Sequence, residues 1–219
     1  DFADQCFQLS DSLFDISSGV LRKIWHFDGS ENIPSDEQID EILEHVGWSK
    51  IQWRRPFLRV PANMELDFGG IAKEYAVDRA LQIFLKIQEN ESTHADNTAA
   101  LINFGGDLAC SGPQLDGSAW EVAIESSQQD EDIAALIHLS RGAIATSGDS
   151  QRFLLKQGVR YSHILNPLSG KSVKNAPRAI SIAGSHCMQA GMLSTIAMLQ
   201  GEDAEAFLDT QEVQYWLQR

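Results

Sequence analysis

The chain has 219 residues, 43% of them hydrophobic, enough to bury a core as one large domain or two small ones. Its 17 Lys plus Arg stand against 31 Asp plus Glu, a formal net charge of -14, which excludes the broad cationic face of a nucleic-acid or anionic-membrane binder. An anionic ligand must therefore be held locally, by backbone amides, a lysine or a metal.

No apolar run reaches the roughly 18 residues of a membrane-spanning helix, and the opening residues "DFADQCFQLSD" are not a signal peptide. A start without methionine is expected of a mature or truncated product. Cys6, Cys110 and Cys187 are widely spaced and odd in number, a pattern that fits neither a disulfide scaffold nor a Cys-x-x-Cys metal site, so they are expected to pack as ordinary apolar residues.

From Ala3 the pattern is helical, with Phe7, Leu13 and Phe14 among polar residues, and leads into "LFDISSGVLRKIWHF". "SDEQIDEILEHVG" predicts a short surface helix: Ser35 is the N-cap, Ile39, Ile42, Leu43 and Val46 share one face, and Gly47 is the stop. His45 in its last turn favours the helix dipole. Residues 50–61 alternate around "RRP" and predict a hairpin of short strands. "LDFGGIAKEYAVDRAL" reads as a strand running into two glycines and then a helix to about Gln88. "QENESTHADNTA" is expected to be a loop in which His94 is solvated.

"AALINFGGDLACSG" predicts a buried strand ending in a second Gly-Gly, and "WEVAIES" an alternating strand. "AALIHLSRGAIATSGD" adds strand signals, "VRYSHILNPLSGKSV" a hairpin turning at residues 166–170, and "AISIAG" a short buried strand. Residues 187–200 predict an apolar helix ended by Gly201. Clustered strands followed by strands interleaved with helices indicate an α+β fold with a mixed sheet.

Four stretches carry small and polar residues that a core does not require: Asp67-Phe68-Gly69-Gly70 with Lys73, Gly105-Gly106-Asp107, Thr146-Ser147-Gly148-Asp149, and Tyr161-Ser162-His163. Together they predict one site built from several loops. Glycine serves where backbone approaches a ligand or takes positive φ, and a helix start offers unpaired amides to anions. A tight turn with no ligand is the structural alternative. Lys73, on the first turn, opposes the macrodipole unless an anion sits there. His163 reads either as a structural histidine or as a catalytic one.

These residues carry a resemblance. "LDFGGIAKEYAVDRA" is similar to the D-L-G-G-I-A-K-G-Y-A-V-D signature of the FAD:protein FMN transferases, the ApbE family. "SLFDISSGVLRKIWHF", "ALINFGGDLACSG", "WEVAIES", "AIATSGDSQRF", "YSHILNPLSGKSV" and "AGMLSTIAMLQG" resemble further family segments in the same order, over roughly residues 8 to 201. The resemblance implies one domain over residues 1–219, α+β with mixed sheets packed with helices in a T-fold-like architecture, and a longer N-terminal part missing upstream.

It also implies a chemistry: magnesium-dependent splitting of FAD, release of AMP, and attachment of FMN through a phosphoester to a Thr or Ser of an acceptor protein. By the same resemblance Leu13, Phe14, Asp15, Asp67, Gly69, Gly70, Lys73, His163 and Ile164 contact FAD, with amides after Gly69 toward the diphosphate. His163 and Thr195 are the catalytic candidates. Gly70, through its carbonyl, Ser194 and Thr195 are the metal candidates. No nucleic-acid partner is implied, and the membrane is met only through a lipid anchor outside this chain, on the periplasmic side of a bacterial inner membrane.

Three residues depart from the family pattern. Gly191 stands where the A-D-A-L-S-T motif has its metal-binding aspartate, Glu74 replaces a glycine after the lysine, and Asn166 replaces an aspartate. Loss of a carboxylate at 191 is expected to weaken metal binding, with Asp107 and Asp149 as the candidate replacements. The alternative to a working transferase is a family member that holds FAD and transfers little.

Overall fold

The computed structural model describes residues 1–90, 98–128, 132–149 and 152–219. The chain opens with helix α1 (Phe2–Leu9), a 3-10 segment (Ile16–Lys23) and helix α2 (Asp36–Leu43). Ser35 caps α2 as expected: its hydroxyl accepts from the Gln38 backbone amide, and Gln38 Oε1 in turn accepts from the Ser35 amide. The helix ends at Leu43 rather than at Gly47, so His45 lies beyond it. Val46 and Gly47 are drawn instead toward the preceding segment, where the Gly47 amide donates to Ser17 Oγ at 2.7 Å.

Strands β1 (Gln52–Arg54) and β2 (Phe57–Arg59) form the expected hairpin. No strand forms ahead of the Gly-Gly turn. Asp67 N–H donates to the Ile16 carbonyl at 2.8 Å, and this one backbone bond to the 3-10 segment is too little for a ladder. Helix α3 (Ala72–Asn90) follows directly and takes up the first residues of the expected polar loop; His94 lies outside the described residues.

The principal sheet has five strands in the order β13 (Gln214–Gln218), β12 (Ala179–Gly184), β7 (Gly142–Gly148), β4 (Asp107–Cys110), β3 (Leu101–Phe104). Every ladder among the described residues is antiparallel, so the α+β class holds while the expected mixed pairing does not. The single buried strand expected at the second Gly-Gly is two, β3 and β4, turned by Gly105-Gly106. The edge strand β13 and the short helix α5 (Ala204–Asp209) carried no expectation, although Val213, Tyr215 and Leu217 alternate toward the core.

Helix α4 (Cys187–Gln200) runs across β7 and β12 and ends at Gly201 as expected. Nine of its fourteen residues are buried, the behaviour of a helix that is apolar all round. Ala143, Ala145, Ile180 and Ile182 meet Ala190, Leu193 and Ala197, the small residues letting helix and sheet approach closely. The hairpin of β5 (Trp120–Glu125) and β6 (Ile133–Leu139) contributes Trp120, Val122 and Leu139 to a second apolar layer around Leu108 and Ile144.

A separate cluster of Val20, Leu21, Trp25, Ile39, Val46 and Leu154 joins the 3-10 segment and α2 to the hairpin of β8 (Phe153–Lys156) and β9 (Val159–Ser162). Beside it the hairpin of β10 (Leu165–Asn166) and β11 (Lys171–Ser172) turns where expected, Asn166 Oδ1 accepting the Leu168 and Ser169 amides. Cys6, Cys110 and Cys187 are free and buried, as packing residues should be. No helix among the described residues is long and apolar enough to cross a membrane.

Candidate active-site cleft

A cleft of about 900 Å³ opens where the N-terminal segment, the Gly-Gly turn, the end of β7 and helix α4 meet. Phe14, Asp15, Asp67, Gly69, Gly70, Lys73, His163, Ile164 and Thr195 all line it, so most of the residues singled out in the sequence are brought to one place. Leu13 is not on its wall; it packs in the apolar cluster with Phe14 and Ile196. Ser194 is likewise off the wall. It is fully buried, donates to the Gly191 carbonyl at 3.0 Å and holds Ser147 Oγ at 2.8 Å. Ser147 does reach the cleft, and its hydroxyl lies 2.9 Å from Thr195 Oγ1.

The Gly-Gly turn is tight for a reason other than a row of free amides. The Gly69 amide donates to Asp67 Oδ1 at 2.7 Å, and the Ile71 and Ala72 amides both donate to the Phe68 carbonyl at 2.9 Å. Of the amides after Gly69, those of Ile71 and Ala72 are therefore taken within the turn. At Gly70 a side chain would meet the Phe14 ring at 3.2 Å, so glycine lets that ring seat on the backbone.

Asp15 is committed to local structure: Oδ1 accepts from the Ser17 amide and hydroxyl at 2.8 and 2.7 Å, and Oδ2 from the Trp48 amide at 2.8 Å. Lys73 Nζ pairs with Asp107, whose other oxygen accepts the Thr146 amide at 3.1 Å. Burial depresses the Lys73 pKa, but the hydrogen bond and charge of Asp107 outweigh it and the net shift is upward, so Lys73 stays cationic. Asp149 is held by Arg160, which gives it bonds of 2.8 and 3.2 Å. Neither Asp107 nor Asp149 lines the cleft, so neither is the replacement carboxylate expected of it.

A carboxylate that does reach the cleft is Glu74. It lies on the first turn of α3, lines the cleft and is 5% exposed. A Cβ at position 191 would lie 2.5 Å from Glu74 Cγ and 2.9 Å from its Oε1. Glu74 thus fills the volume that a side chain at 191 would take, and two departures that look independent in the sequence are one exchange in space. Glu74 Oε2 is buried with no hydrogen-bond partner. Burial, reinforced by the charge of Asp107, raises its pKa.

His163 packs edge-on to Phe27, which stacks on Trp25 at 5.8 Å. Its Nδ1 lies 3.1 Å from the Arg152 carbonyl, which can only accept, so Nδ1 carries the proton and Nε2 is left as an acceptor. Burial lowers its pKa. Trp25, Phe27, Arg22 and Arg152 also line the cleft. The sequence reading used the Trp25-Phe27 segment only for resemblance and gave these four no role; aromatic and basic residues flanking a candidate site were the available signal.

The cleft combines aromatic surface, three cations in an acidic protein and a group of hydroxyls, the equipment of an α+β protein that holds an aromatic ligand bearing phosphates. The ApbE family model matches residues 1–217, and the chain belongs to that family. It is 28% identical over 204 residues to a FAD:protein FMN transferase of Vibrio cholerae and 25% identical over 206 residues to one of Haemophilus influenzae. Those matches take in 89% and 90% of this chain but 58% and 57% of the relatives, so the chain spans little more than half their length. A crystal structure of the Thermotoga maritima ApbE protein superposes with a TM-score of 0.82 at 31% identity, covering 98% of this chain and 70% of that one. The apo flavinyl transferase ApbE of Pseudomonas stutzeri gives 0.79 at 26%, covering 97% and 65%.

Proposed function

We propose that this chain is the core of a flavin transferase that binds FAD in the cleft, breaks its diphosphate and passes FMN to a threonine or serine hydroxyl of a separate protein. The observation that carries this reading is the shared lining: Trp25, Phe27 and His163 line the same cleft as Lys73, Ser147, Thr195 and the bare backbone of Gly70. The names of the relatives above point the same way.

In the reaction the acceptor oxygen forms a bond to the phosphorus of the FMN half, the bond from that phosphorus to the bridging oxygen breaks, and AMP leaves with the bridging oxygen. His163 Nε2 takes the hydroxyl proton. Lys73, kept charged by Asp107, neutralises phosphoryl oxygens, and Phe14, Ile164 and Trp25 exclude water around the ring system.

The donors on this lining, hydroxyls of Thr195 and Ser147 and the Gly70 carbonyl, are all hard oxygens of the kind magnesium takes. When bound, magnesium would stabilise the charge that builds on the phosphoryl oxygens. Thr195 and Gly70 would hold it directly, and Ser194 acts through Ser147. Asp67 serves by fixing the turn through the Gly69 amide. The natural setting proposed is the outer face of a bacterial inner membrane, reached through a lipid anchor outside this chain.

Incubation with FAD, magnesium and an acceptor domain, followed by intact-mass measurement, should add one FMN to the acceptor, and His163→Ala should abolish that shift. An unmodified acceptor in the presence of bound FAD would turn the reading into that of a flavin holder.

A further inference from the structure

We infer that Glu74 is the carboxylate ligand of a divalent-cation site in the cleft, reached from α3 because Gly191 on α4 leaves it room. The inference rests on the metal-assisted reading above and deepens it by assigning its charged ligand.

Glu74 is more than nine-tenths buried, lines the cleft, and has an oxygen with no partner. A buried carboxylate is normally paired, hydrogen-bonded or bound to metal. The neighbouring cation, Lys73, is drawn to Asp107 and makes no hydrogen bond or ion pair to Glu74. Its position is set by α4. The side-chain volume at 191 is occupied by Glu74 Cγ and Oε1, and position 191 lies one helical turn before Thr195, on the same face. The carboxylate therefore enters the cleft through the space of residue 191, one turn from Thr195, which lines the same cleft and whose hydroxyl lies 2.9 Å from Ser147 Oγ.

The chemistry of the donors selects the cation. Glu74, Thr195, Ser147 and the Gly70 carbonyl offer oxygen only, which disfavours zinc and copper. No three His, Cys, Asp or Glu side chains converge as a metal cluster among the described residues. One carboxylate with neutral oxygens is too little for a dedicated calcium cage. It suits magnesium or manganese, which keep waters and complete their shell with a substrate's phosphates.

The test is manganese binding, read from the paramagnetic signal of free Mn2+ with FAD present, on the wild-type chain, Glu74→Gln, and the exchange variant Glu74→Gly with Gly191→Asp. FAD occupancy is followed separately by flavin fluorescence, and metal-free melting reports folding. The expected result is at least about a tenfold loss of manganese affinity in Glu74→Gln, recovered to within a few-fold in the exchange variant. Should Glu74→Gln not fold, manganese binding by the folded exchange variant supports the assignment and its absence overturns it. Equal affinity in wild type and Glu74→Gln overturns the assignment but leaves the metal-assisted reading standing. A wild-type chain that binds FAD but no manganese overturns both, and one that binds no FAD removes the flavin reading itself.

Discussion

Gly191→Ala places a Cβ 2.5 Å from Glu74 Cγ, at least about 1 Å inside an ordinary carbon–carbon contact. Glu74 is packed between α3 and α4, so it must swing toward the cleft, and crowding of this kind costs about 1–3 kcal/mol. Position 191 lies inside α4, where alanine is preferred over glycine by about 1 kcal/mol. The single substitution should therefore destabilise by about 0–2 kcal/mol. In a Glu74→Ala background the obstructing carbons are gone, and Gly191→Ala should stabilise by about 1 kcal/mol. The coupling between the two positions is then about 1–3 kcal/mol, measurable by urea unfolding of the four proteins in metal-free buffer. A coupling below about 0.5 kcal/mol, the scatter of independent sites, would refute the claim that Glu74 occupies the side-chain space of residue 191.

Arg160→Ala removes the partner of Asp149, a carboxylate 3% exposed, and should cost about 3 kcal/mol, a fall in melting temperature of roughly 10 °C; a fall of only a degree or two would mean that Asp149 is rescued by water. Asp78→Ala leaves the Cys187 and Met188 amides, each 2.9 Å from the carboxylate, without acceptors, and should lose about 1–2 kcal/mol in the same measurement. His163 has its pKa lowered from 6.5 by burial, so the unfolded chain takes the proton first as pH falls. Stability should be level above about pH 6.5, decline below it toward the folded pKa, and level again, and His163→Gln should flatten that decline in pH-dependent unfolding. Lys73→Ala should weaken FAD binding about tenfold and Asp67→Ala to a lesser degree, by flavin fluorescence titration; unchanged dissociation constants in both would exclude the turn from the binding site.

Local signals in the chain determine much of the fold. Ser35 and Gln38 cap α2 through bonds that span three residues, Gly201 stops α4, and Asn166 turns the β10–β11 hairpin with its own side chain. The candidate site was legible too: the Gly-Gly turn, Lys73, His163 and Thr195 do share one cleft. What these features have in common is that their partners are near in sequence or their residue types are rare outside such sites.

Other features were decided by partners far along the chain. The segment before Gly69 has good strand character, yet its neighbour is the 3-10 segment, which offers one carbonyl and no ladder. The start of α4 has no cap of its own because Asp78, 109 residues earlier, supplies it from α3. Asp107 and Asp149 look like free carboxylates in the sequence and are each tied to a cation in the structure. Gly191 alone reads as a lost ligand and Glu74 alone as an added charge. Only the crossing of α3 and α4 makes one fill the space of the other, because side-chain volume is shared between helices and no spacing along the chain records it.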